Sequence, residues 1–292
     1  MPSPGELAAL GTAGAWTCSS LAFAAAAERI GSLSLNLIRI GIALIWLTVI
    51  ATITRGLPLP TDASAHTWLY LTLSGAVGFV LGDLCFFRAL IEIGPRLTML
   101  IQTTTPIFAA AISWVALGEG LSPRGLIGLV LVVAGVAWAV SARRGTTTMR
   151  RPGRGVLLAL GGALGQAGGL ILTKHGLGDY PPIAGNQIRA LAALVGFAIV
   201  LTASRWWPHF RRGVRDGRAM AFAATGATLG PFIGVTLSLY AVSHAKAGVA
   251  AALMSTPPVM ILPYVWWRGE QVGAAGVLGA LTAVAGVALL VT

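Results

Sequence analysis

The sequence predicts an all-α membrane protein with ten transmembrane helices, arranged as two five-helix repeats of inverted topology. Three observations carry this reading. Charged residues make up 10% of the 292 and hydrophobic residues 56%, with a mean hydropathy of +0.81. A soluble domain carries about 25% charged residues, so this chain cannot clothe a water-facing surface. The apolar residues come in runs close to the roughly 20 needed to cross a bilayer as a helix, too long and too continuous for barrel strands. Finally, one segment is written twice. TPIFAAAISWVALGEGL at 105–121 returns as TPPVMILPYVWWRGEQV at 256–272, with Thr105/Thr256, Pro106/Pro257, Gly118/Gly269 and Glu119/Glu270 each 151 residues apart.

Segment 1 (about 6–27) has no basic stretch before it, so it reads as a retained helix and not a cleaved signal. Trp16 lies too deep for an interfacial belt, and with Ser19 and Ser20 one turn on it is a candidate cavity lining. Segment 2 (33–54) carries Asn36 and Arg39, and segment 7 (184–204) repeats them as Asn186 and Arg189. The i, i+3 spacing puts each pair on one helix face. Each arginine is close enough to a helix start to snorkel or bridge helices, or to meet an anionic group of a substrate. Segment 3 (67–88) holds Gly78 and Gly82, which segment 8 (219–241) repeats as Gly230 and Gly234. Small residues four apart let helices approach closely in lipid. Asp83 is the one acid within these segments, and its repeat mate is Val235. It reads either as a coupling residue on a proton or substrate path or as half of a structural ion pair. Arg88, about 140° around the helix, is a poor partner for it.

Segments 4 (96–117) and 9 (247–267) each have a proline at mid-length, Pro106 and Pro257. An interior proline removes a backbone hydrogen bond, and in lipid the freed carbonyl requires a polar neighbour. Both prolines are therefore expected to kink their helices. Gln102, Thr104 and Ser255 then line a central cavity, or their hydroxyls bond back to their own helices. Segment 5 (123–141) follows Ser122 as a cap, with Pro123 in the first turn; Glu119 and Glu270 serve such helix starts. Segment 6 (155–174) places Gln166 at the position of Trp16, and segment 10 (272–291) repeats Gly128 and Gly135 as Gly279 and Gly286. Trp68, Trp138, Trp206, Trp207, Trp266 and Trp267 mark membrane boundaries.

The chain thus divides into repeats at 1–141 and 155–292, joined by a basic linker at 142–154. Five is odd, so the second copy enters the membrane from the opposite side. That arrangement characterises secondary transporters, with a midplane site between the repeats. With the N-terminus outside, inner connections hold fourteen arginines, against four basic residues in the outer ones. Positive residues stay inside, which puts both termini in the periplasm of an inner-membrane protein. The net charge of +11 sits in these connections and not in a nucleic-acid-binding domain. Cys18 and Cys85 lie inside apolar segments, with no disulfide or metal spacing. His66, His175, His209 and His244 stand apart in sequence, and no catalytic or nucleotide motif occurs. Neither an enzyme nor a cofactor is expected.

The doubled pattern of mid-helix proline, Gly-Glu and a Gly-rich last helix, as in ALIEIGPRLTMLIQTTTPIFAAAISWVALGEGLSPRGLIGLVLVVAGV, resembles the paired repeats of the EamA family of the drug/metabolite transporter superfamily. The resemblance spans nearly the whole chain. It implies ten helices around a central cavity and efflux of amino acids or related metabolites from a bacterial cytoplasm. It carries no substrate-binding motif, and many relatives keep both termini inside, where the charges here place them outside. The expectation is a carrier of a small molecule by alternating access, with Asp83 as coupling residue, Trp16, Ser19, Gln102, Thr104, Gln166 and Ser255 toward the cavity, and a monomer as the unit. A lipid-linked translocase, using Arg39 and Arg189 for a phosphate, is the alternative.

Overall fold

A computed structural model describes residues 3–117, 123–141, 152–244, 253–269 and 272–291. Gly118, Glu119, Ser122, Glu270 and most of the basic linker, all named above, lie outside the described residues. The first half comprises α1 (Pro4–Ile30), α2 (Ser32–Arg55), α3 (Ala65–Ser74), a π-helical segment (Gly75–Gly82), α4 (Asp83–Gln102), α5 (Thr105–Leu117) and α6 (Pro123–Ser141). The second comprises α7 (Pro152–Leu177), α8 (Pro182–Ala203), α9 (Trp207–Val214), α10 (Gly217–Ala227), a second π segment (Thr228–Gly234), α11 (Val235–His244), α12 (Pro257–Met260), α13 (Leu262–Trp267) and α14 (Ala274–Val291). Among the described residues, five unbroken helices are long and apolar enough to cross a membrane: Pro4–Ile30, Ser32–Arg55, Pro123–Val140, Pro152–Leu177 and Pro182–Ala203. The third, fourth, eighth and ninth passes are assembled from shorter pieces, and the tenth is the single shorter helix α14.

Local chemistry fixes the ends. Ser3 and Glu6 form a capping box at the start of α1: the Ser3 amide donates to the Glu6 carboxylate at 2.7 Å, and the Glu6 amide to Ser3 Oγ at 3.3 Å. This satisfies two of the orphan donors of a helix start. Gly94, at φ 78° and ψ 165°, breaks α4 just before Pro95, a backbone conformation that favours a residue without Cβ. The third pass therefore runs from Ala65 to Ile93, longer than the predicted 67–88. That extension corrects the reading of Asp83 as the one intramembrane acid, because Glu92 is now inside a helix and buried. Arg88 donates to Glu92 at 3.0 Å, one turn on.

The repeats are inverted, as a five-helix duplication requires. α6 and α14 occupy equivalent places and pack along their length. A Cβ on Gly135 would stand 2.5 Å from Ala283 N, and one on Gly286 2.6 Å from Val132 N. Early residues of one helix meet late residues of the other, so they run antiparallel. The equivalent α2 and α8 behave alike: Ser34 accepts from Trp206 Nε1 at 3.1 Å and Thr48 from Gln187 at 3.2 Å. Helices that match in the repeats and oppose in direction enter the membrane from opposite sides. The first helix of each half crosses into the other: α1 packs against α10, the second π segment and α11, and α7 against α3, the first π segment and α4.

The prolines do more than kink. Each fourth pass stops and restarts. At Thr104 the backbone amide and hydroxyl both bond Ile101 O, at 3.0 and 2.7 Å, while Thr104 O accepts from Ile107 and Phe108 at 3.0 and 3.2 Å. Thr256 does the same: amide and hydroxyl to Leu253 O at 3.2 and 2.7 Å, its own carbonyl accepting from Val259 and Met260 at 2.9 and 3.0 Å. Pro106 and Pro257 thus fall in the first turn of the new helix, where the missing N–H is an orphan in any case. The bonding pattern recurs at an offset of 152, one more than the sequence match.

Candidate functional site

Where α7 crosses the first π segment, the approach is set by glycines. A Cβ on Gly165 would lie 2.5 Å from Gly82 Cα, and one on Gly169 2.8 Å from Gly78 Cα. The crossing of α1 over the second π segment is its counterpart, with one partner larger: Gly230 faces Ser19 and Trp16, and Gly234 faces Trp16, whose Nε1 is 3.0 Å from the position of a Cβ there. π-helical turns are rare and cluster at functional sites, and here both end one residue before the repeat-related pair Asp83 and Val235.

Asp83 is the hub of the first crossing. It is buried, and both carboxylate oxygens are engaged: Oδ2 accepts from Arg39 Nη2 of α2, and Oδ1 from Gln166 Nε2 of α7 at 2.9 Å. Arg39 Nε donates to Asn36 Oδ1 at 3.0 Å, as the i, i+3 spacing anticipated. Its guanidinium centre stands 4.5 Å from the Phe87 ring centroid and 5.9 Å from that of Phe23. Such faces favour a cation, so Arg39 is fully provided for. Arg189 is not. It stacks over Phe79 at 4.3 Å, its Nε is buried without a partner, and it forms no ion pair among the described residues. The sequence repeat makes the two arginines look interchangeable; the single acid between them distinguishes them.

The other candidates divide in two groups. Ser19 is buried and donates to Gly226 O at 2.7 Å, beside Trp16, which remains 38% exposed. Gln102, Thr104 and Ser255 sit at the two helix breaks. Thr104 bonds its own helix, Ser255 is half-buried, and Gln102 has its side-chain carbonyl buried without a partner. Ser20, bonded to Met99 Sδ at 2.8 Å, links α1 to the fourth pass. Sequence reasoning missed Ser74, which donates to Gly169 O at 2.6 Å and lies 2.7 Å from Thr173 Oγ1. It also missed Gln187, buried and donating to Pro58 O at 2.8 Å. Nothing in a serine or glutamine within an apolar run marks its partner.

The face carrying the chain ends has a cleft of about 420 Å³, with Asp62, His66, His175 and Tyr180 among its lining residues. The histidines read as isolated are not all so: His66 and His175 flank Tyr70, with the two imidazole centroids 5.5 Å apart. No group of three or more metal-ligating side chains occurs among the described residues. Beside the histidines, Asp62 accepts from Tyr180 Oη at 2.8 Å and from Arg55. Those bonds, Tyr180 first, hold the Asp62 carboxyl below its ordinary range. A group lowered in this way stays charged down from neutral pH, and the clasp is lost only as pH falls through the lowered value. Tyr180→Phe is expected to move the Asp62 titration upward. A ¹³C carboxyl titration reads this directly, and an unmoved titration would show that Arg55 alone holds the acid.

The sequence model of the EamA-like transporter family matches residues 3–141 and again 153–292, one match per repeat. No curated protein matches the chain. Among solved structures, one crystal structure is similar over 98% of this chain and 95% of its own, at 17% identity and a TM-score of 0.59. At that identity the likeness speaks for the fold.

Proposed function

The chain belongs to the EamA-like transporter family, and from that premise we propose a bacterial inner-membrane secondary transporter that exports amino acids or related amphipathic compounds by alternating access. The observation that carries this reading is Asp83, held between Arg39 of its own half and Gln166 of the other at a crossing of bare backbones. The Gln166–Asp83 bond links the halves that must move, and glycine surfaces let them move in contact. Asp83 serves as the coupling residue, exchanging Arg39 for a proton as the crossing opens. Trp16 and Ser19 at one crossing, Gln166 at the other, and Gln102, Thr104 and Ser255 at the helix breaks face the substrate. Arg189, which forms no direct ion pair among the described residues, receives the substrate's anionic group. The basic connections lie in the cytoplasm and both termini in the periplasm.

A lipid-linked translocase would need both arginines open to a phosphate, and Arg39 is sealed by Asp83, Asn36 and Phe87. Purified protein in liposomes separates the two readings: uptake of labelled amino acids supports the carrier, and movement of fluorescent lipid between leaflets overturns it. Arg189→Gln is expected to raise KM for a carboxylate-bearing substrate roughly 10- to 100-fold, the worth of a hydrogen bond to a charge. Its effect on the corresponding amide should be small. Asp83→Asn should flatten the pH dependence of transport; a full pH profile in that variant would exclude the coupling role.

A further inference from the structure

The connection between the seventh and eighth passes contains a helix, α9, within a stretch that the sequence marks only as basic. α9 is strongly amphipathic and firmly placed. Gly213 lies against Ile30, where a Cβ would come within 3.1 Å of Ile30 Cβ, Trp206 bonds Ser34 at 3.1 Å, and Arg29 bridges to Asp216 at 2.9 Å. Trp207 and Phe210, edge to face at 5.5 Å, form its apolar side. They complete a groove of about 470 Å³ that runs along α2 and α8, where every lining residue is apolar, including Ile38, Gly41, Ile45 and Leu194. Ile45 is 64% exposed, so the groove opens outward from the bundle.

Flanking the groove-lining Trp207, Phe210 and Met220 in sequence are Arg205, Arg211, Arg212, Arg215 and Arg218, all exposed and none ion-paired among the described residues. Asp216, the acid among them, is taken by Arg29 and the Ala219 amide. Trp207 and Arg211 share one face of the helix at four-residue spacing, and Arg215 continues that row at the C-cap. An apolar groove alone accepts any acyl chain, and arginines alone attract any anion. Set end to end, they fit one molecule that carries both. We propose that α9 and the groove form a binding site for an anionic phospholipid of the surrounding bilayer, with an acyl chain along Gly41 and Ile45 and the headgroup phosphate on Arg211 and Arg215. Basic side chains on an amphipathic helix at a membrane surface recognise such headgroups.

The test titrates the purified full-length chain in mixed micelles with phosphatidylglycerol or phosphatidylcholine, following thermal unfolding and, by native mass spectrometry, bound lipid. Phosphatidylglycerol should bind and raise the unfolding midpoint; phosphatidylcholine should not at the same concentration. Replacing both Arg211→Gln and Arg215→Gln should weaken phosphatidylglycerol binding about 30-fold, at about fivefold per arginine. Gly41→Leu is the second variant. A Cβ at Gly41 meets nothing within 4 Å, so a side chain there starts into open space; lipid binding should vanish while the circular dichroism spectrum is unchanged. Equal stabilisation by the two lipids, an arginine variant with unchanged affinity, the same effect from inorganic phosphate, or a stable pair of chains in place of the lipid adduct would each overturn the site.

Discussion

Asp83→Ala is expected to destabilise the protein by about 3–5 kcal/mol, the cost of stranding one member of a buried ion pair. Arg39 cannot leave with its partner: α2 is packed around it, with Asn36 on one side and the Phe23 and Phe87 rings on the other. Gln166 also loses the closer of its two acceptors, keeping Gly78 O at 3.5 Å. The double variant Arg39→Met with Asp83→Leu removes both charges at similar volume and should recover most of that stability, since well-packed apolar replacements of buried pairs are often neutral or better. Transport should not return, because the double variant has no group to exchange for a proton. Denaturant unfolding of the three proteins in one detergent, set beside uptake in liposomes, reads both. Recovery of stability and transport together would reduce the pair to packing.

Gly165→Ala is expected to cost about 1–3 kcal/mol and at least tenfold in transport rate. Its Cβ would lie 2.5 Å from Gly82 Cα, 2.9 Å from Gly82 N and 3.1 Å from Val77 O, all backbone atoms with nowhere to go. Overpacking of this kind costs roughly that much, and separating the helices also stretches the Gln166–Asp83 bond. Gly168→Ala is the matched control. One turn away on the same helix, its Cβ meets only the tip of Val77, at 3.2 Å, so it should fall within about 0.5 kcal/mol of the parent, as ordinary substitutions do. Similar losses in the two variants would show that α7 is sensitive to any added methyl, and that the crossing has no special role.

The large-scale architecture was legible because duplication leaves identical residues at a fixed offset, and an odd number of passes forces inversion. Local departures were not. A π turn has no composition of its own: GAVGFVLG reads as an ordinary glycine-rich helix, and only its packing against Gly165 and Gly169 shows why it widens. Pro106 announced an interruption, but whether a helix bends or restarts depends on what Thr104 does with its hydroxyl and carbonyl. The third pass runs past its expected end with Arg88 bonded to Glu92 one turn on, so Glu92, expected beyond the pass, is carried by a helix. Arg39 and Arg189 share one local sequence pattern. Which of them Asp83 bonds is a tertiary fact: Arg39 reaches its carboxylate, and Arg189 stacks over Phe79 instead.

Asp83 has no twin, for Val235 stands in its place in the second half. If the halves were identical, exchanging their roles would turn an outward-open carrier into an inward-open one of equal energy. A lone carboxylate, bonded to one arginine and not to that arginine's counterpart, removes the equality. In the proposed alternating-access cycle this asymmetry contributes to a preferred resting side for the empty carrier.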